Sequence, residues 1–126
     1  MTALVLDAGA LIAVDRGDRD VQRDIQDALR AGTPVRTNAN AVAQVWRNGA
    51  RQARLARLLR DIKIEPITRE DGYRAGELLG ATRTKDVVDA TVALLAESGD
   101  DVYTSDPGDL RLLTETAGIK AVIIGC

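Results

Sequence analysis

Aspartates are the residues in this chain best suited to chemistry. Asp7 closes the apolar run Leu4-Val5-Leu6, and Asp106 closes the run Val102-Tyr103-Thr104-Ser105, with Asp109 just beyond. Asp89 lies in the otherwise apolar stretch Val87–Ala96, one turn after Asp86. A carboxylate on the buried side of an apolar helix is costly unless it is paired, hydrogen-bonded or metal-bound. Strands interleaved with helices bring strand ends and following helix starts to one sheet edge, where Asp7, Asp89 and Asp106 can converge. Three converging carboxylates repel one another, and a hard divalent cation resolves the repulsion. The chain has no His and a single Cys, Cys126. That excludes an imidazole general base, a Ser-His triad and the usual zinc sites. An all-oxygen set points to Mg²⁺ or Mn²⁺ and suits phosphodiester hydrolysis by a metal-activated water. Each acid also has a plainer role open to it. Asp7 can cap the next helix, Asp86 with Asp89 can form a capping pair, and Asp106-Pro107-Gly108-Asp109 can be a turn.

The elements that must position these acids follow from periodicity. Leu4–Leu6 reads as a buried central strand that delivers Asp7 at its carboxyl end. Apolar residues at 21, 25, 28 and 29 mark a helix ended by Gly32. Thr33–Thr37 is β-like, Asn38 caps a helix reaching Arg47, and Ala50–Arg60 resumes as helix. Ile62–Ile67 alternates as a strand that Pro66 ends or confines to an edge. Thr68 caps the helix to Gly80, with Asp71 three residues on. Val87–Ala96 is helical, Asp101–Thr104 a strand, Leu110–Ala117 a helix and Lys120–Ile124 a last strand. This order predicts an α/β fold, a mostly parallel sheet with helices on both faces.

Composition narrows the classes. The 126 residues suit one domain over 1–126 with one core. Aromatics make up only 2%, which argues against a base-stacking single-strand binder. Net charge is −2, so attraction to nucleic acid must come from a local basic patch. A lone Cys fits a reducing, cytoplasmic setting, and no apolar run is long enough to span a bilayer.

Three stretches, Leu4–Ala13 around Asp7, Asp86–Ala96 around Asp89, and Val102–Leu110 with Thr104-Ser105-Asp106, resemble PIN domains, most closely the VapC-like toxins of toxin–antitoxin modules. The resemblance implies a PIN-like fold, Mg²⁺- or Mn²⁺-dependent ribonuclease activity, a homodimer and a cognate antitoxin partner. It assigns Asp7, Asp89 and Asp106 as the metal-binding, catalytic acids, with Asp109 as an additional metal ligand. Thr104 and Ser105 support the metal site, and Asp86 takes an outer role. The family's second acid, a Glu, falls at Gln44, which is neutral, binds a cation more weakly and is no general base. The alternative reading is therefore a catalytically attenuated PIN fold that works by binding RNA or a partner.

Arg47, Arg51, Arg54, Arg57 and Arg60 recur every three or four residues. On continuous helix they form a stripe, read as an RNA-binding rim carried by Arg47, Arg51 and Arg54. A solvated face, or a surface for an acidic antitoxin tail, accounts for the same spacing. Trp46 reads as core or interface rather than as an RNA stacking surface.

Overall fold

The computed structural model describes residues 2–126. Its strands are β1 (Leu4–Leu6), β2 (Val35–Asn38), β3 (Lys63–Glu65), β4 (Asp101–Thr104) and β5 (Val122–Gly125). The helices among the described residues are α1 (Ala8–Asp15), α2 (Arg19–Arg30), α3 (Ala39–Val45), α4 (Ala53–Asp61), α5 (Arg69–Thr82), α6 (Val87–Leu95) and α7 (Pro107–Thr116). Every strand pairing is parallel, and the order across the sheet is β3-β2-β1-β4-β5. The expected α/β layering and the central place of Leu4–Leu6 are both borne out. A strand covered on both faces has to be apolar throughout, and Leu4, Val5 and Leu6 are all buried. The edge strands β3 and β5 are correspondingly exposed or half-exposed.

The helices α1, α2 and α4 pack together, as do α5, α6 and α7. Right-handed crossovers place these two groups on opposite faces, because the chain moves outward from β1 to β3 and then returns past β1 to β4. The direction of travel reverses between β1 and β4. That reversal is the topological switch point, where the chains leaving neighbouring strands part to opposite faces and open a crevice at the carboxyl ends. Asp7 and Asp106 follow those two strands.

One boundary differs from expectation in a way that matters. The helix expected to reach Arg47 ends at Val45, and the one expected from Ala50 begins at Ala53. Trp46 leaves the helical backbone (φ −66°, ψ 130°). Its indole lies so close to Gly49 that an added Cβ would meet it at 2.9 Å. Arg47 and Arg51 therefore sit in a loop, and only Arg54, Arg57 and Arg60 share a helix. The continuous helical stripe of arginines does not form.

Candidate metal centre

Asp7 leaves β1 with extended backbone and caps α1, its Oδ1 accepting the Ala10 N–H at 2.8 Å. Capping and site placement are thus properties of one side chain. It is 2% exposed. Burial pushes its carboxyl above the usual range, while hydrogen bonds from the Thr104 hydroxyl and the N–H groups of Ala10, Gly9 and Ser105 pull it back. Gly9 makes this approach possible. A Cβ there would come within 2.0 Å of the Ser105 Oγ, so only glycine lets the start of α1 lie against the turn after β4.

Thr104 ends β4, fully buried. Its hydroxyl bonds Asp7 and accepts the Asp106 N–H at 2.8 Å, which couples the two strand ends through one oxygen. Asp106 precedes Pro107 at the first position of α7 and makes no capping bond with its own side chain. Its carboxylate is therefore left for other partners.

Asp89 enters from α6, whose cap is Asp86. The Asp86 Oδ1 accepts the Asp89 N–H at 2.9 Å, which fixes the first turn of that helix. Asp89 itself is only 9% exposed. Its carboxyl is pushed up to about 7, first by burial and then by the charges of Asp86, Asp7, Asp106 and Asp109. One oxygen from each of Asp89, Asp106 and Asp109 lies within 4.8 Å of the others. Asp7 stands outside this group of three, near enough for its charge to act on Asp89. A hydrogen bond with Asp106, together with that residue's charge, holds the Asp109 carboxyl above its usual range. Three carboxylates this close, with no cationic side chain paired to them in a salt bridge among the described residues, form a group of charges without a counter-charge. The donor set is oxygen alone and fits a hard divalent cation.

Gln44 lies on α3, exposed and without a side-chain hydrogen bond among the described residues. It is one turn beyond Asn40, whose Nδ2 donates to the Thr91 Oγ1 of α6 at 3.4 Å. Ser105 is an exposed residue of the β4–α7 turn. The Arg47 guanidinium donates to the carbonyls of Ala43 (3.0 Å) and Trp46 (2.7 Å). Arg54 reaches the Asp15 carbonyl at 3.4 Å, and Arg51 is exposed.

The buried Gln52 escapes a reading by motif. Its Oε1 accepts the N–H groups of Arg47 (2.7 Å) and Asn48 (2.9 Å). Its Nε2 donates to the Val45 carbonyl (3.0 Å) and the Asp15 Oδ2 (3.3 Å). One amide thus ties the whole arginine loop to α1 and α3. Asp100 plays a similar part at the other end of the sheet, taking the N–H groups of Ala3 and Glu97 and the Arg36 guanidinium. No local pattern distinguishes either residue from a surface Gln or Asp.

Fold and site together define a class: a parallel α/β protein with oxygen-donor acids gathered at its topological switch point. The chain belongs to the PIN domain family, whose model matches residues 4–112. Among solved structures it is similar to VapBC2 from Rickettsia felis bound to a DNA fragment from their promoter, with 11% identity, TM-score 0.67, and 98% of this chain and 99% of that chain covered. It is also similar to FitAcB from Neisseria gonorrhoeae, with 15% identity, TM-score 0.61 and coverage of 94% and 96%. A third is FitAB bound to an IR36 DNA fragment, with 14% identity, TM-score 0.62 and coverage of 95% and 94%. At these identities the likeness is one of fold. No curated protein sequence matches the chain.

Proposed function

We propose that this chain is a single-domain Mg²⁺- or Mn²⁺-dependent endoribonuclease, the toxin of a toxin–antitoxin pair, acting in the cytoplasm as a homodimer. The observation that carries the reading is the meeting of Asp89, Asp106 and Asp109 oxygens within 4.8 Å, with Asp7 acting on Asp89 from the neighbouring strand end. In this reading Asp7, Asp89 and Asp106 are catalytic and, with Asp109, hold the cation. A bound divalent cation supplies an activated water and charge to stabilise the leaving oxygen. The chain's own residues do the rest. Thr104 orients Asp7 and the Asp106 backbone, Asp86 fixes the turn that presents Asp89, and Ser105 and Gln44 line the approach. Arg47, Arg51 and Arg54 attract the RNA backbone. The antitoxin partner is supported by the resemblance to VapC-like toxins and by the fold shared with VapBC2 and FitAB chains.

The test is incubation of purified protein with structured RNA in Mn²⁺, with and without chelator, alongside Asp89→Asn. Cleavage that disappears with chelator and in the variant is the expected result; cleavage indifferent to both ends the proposal. Gln44 favours a second reading, an RNA- or partner-binding PIN fold without turnover, since α3 adds no carboxylate to the cluster. RNA binding in Mn²⁺ without any cut product would select it.

A further inference from the structure

A crevice of about 220 Å³ lies at the carboxyl ends of β2 and β3, against α5 and α6, and the acidic cluster does not use it. At its base is Asn38, 2% exposed. The Asn38 Oδ1 takes the Ala41 N–H at 2.9 Å as the cap of α3, but its Nδ2 donates to no protein acceptor among the described residues. Arg36 Nε is the fully buried unpaired side-chain atom among the described residues, so the Asn38 amide nitrogen instead keeps an opening to the crevice, from which it can donate to a bound group. Two carboxylates also line the crevice, each with one oxygen engaged. The Asp71 Oδ2 accepts the Thr68 N–H at 2.9 Å, and the Glu65 Oε1 pairs with the Lys63 Nζ at 3.1 Å. Ile67 and Leu94 supply apolar surface. Continuing the β1–β2 register from Leu4↔Val35 sets Asn38 beside Asp7, about one strand spacing away.

We propose that this crevice is a subsite for a guanine base, as part of an RNA strand or as a free nucleotide. Guanine presents one acceptor, O6, followed by two donors, N1–H and N2–H, along a single edge. The free Asn38 Nδ2 donates to O6, the free oxygen of Asp71 accepts from the two ring-edge donors, and the ring faces meet Ile67 and Leu94. Adenine turns a donor toward the Asn38 donor, and cytosine does the same. Uracil offers the acceptor and one donor only. Where the base belongs to RNA, the inference rests on the nuclease reading and places a guanosine beside the scissile phosphate.

Affinity measured by fluorescence anisotropy in Ca²⁺, with no reliance on turnover, tests it. The probes are oligouridylates carrying one guanosine, inosine or adenosine, and GMP followed by NMR shifts of the Ile67 and Leu94 methyls. The guanosine strand is expected to bind at least about tenfold more tightly than the adenosine strand, the size of one good base-edge contact. Inosine, lacking the 2-amino group, should fall between. Asn38→Asp keeps the cap acceptor and removes the donor, so it should erase the preference; Asp71→Asn provides a second variant should the first misfold. Equal affinities with no GMP-induced shifts overturn the proposal, as does a preference that survives both variants. GMP binding without RNA preference assigns the crevice to a free nucleotide. Base preference with no cleavage in Mn²⁺ removes the nuclease reading and leaves the subsite standing.

Discussion

Asp89 bears the greatest electrostatic strain in the site. Its folded carboxyl titrates near 7 against an ordinary value near 3.8, a difference worth about 4 kcal/mol at full weight, which water at the crevice mouth reduces to about 1–2. Asp89→Asn should therefore stabilise the metal-free protein at pH 8 by about 1–2 kcal/mol in urea titrations, while calorimetry shows Mn²⁺ binding abolished. Gln44→Glu should do the reverse, binding Mn²⁺ more tightly; equal or weaker binding removes Gln44 from the site. Gly9→Ala should cost about 1–3 kcal/mol by driving into Ser105, less about 1 regained in helix propensity. The acids were legible as residue types in apolar surroundings. The Asp-Ala-Gly sequence was visible too, but what Gly9 must avoid is Ser105, at the far end of the chain and beyond any local reading.

At the scale of elements, a single buried amide controls the basic surface. Gln52 anchors the loop that carries Arg47 and Arg51, and Gln52→Ala leaves the N–H groups of Arg47 and Asn48 unpaired, a loss of about 1–3 kcal/mol. Thermal melts should record that loss. If the arginine rim meets RNA, Arg51→Ala with Arg54→Ala should flatten the slope of log affinity against log salt by about 1.4, or about 0.7 for each phosphate no longer neutralised. An unchanged slope rules the rim out. The strands and helices themselves were readable because apolar spacing is a local property of the chain. The break at Trp46 was not, because the indole packing on Gly49 and the bonds of Gln52 override the helical propensity of the arginine-rich stretch.

For the whole molecule, the acid cluster makes stability depend on pH. Asp7 and Asp89 both titrate higher folded than unfolded, so the native state holds more protons between pH about 4 and 7. Stability of the metal-free protein should fall as pH rises through that window. A scan should show a lower melting temperature at pH 8 than at pH 5, with Mn²⁺ restoring more at pH 8. No pH dependence in that range would mean the acids do not share one crevice. Hydrophobic patterning determined the order of elements and the burial of Leu4–Leu6 at the centre, and the lack of His with a single Cys left carboxylates as the main candidates for chemistry. Only the tertiary structure decided that Asp89, Asp106 and Asp109 meet most closely, that the arginines divide between loop and helix, and that Asn38 is left facing a crevice with a free donor. The reason is physical. Periodicity records which side of an element is apolar, whereas convergence depends on strand order and on where helices cross, and long-range packing sets both.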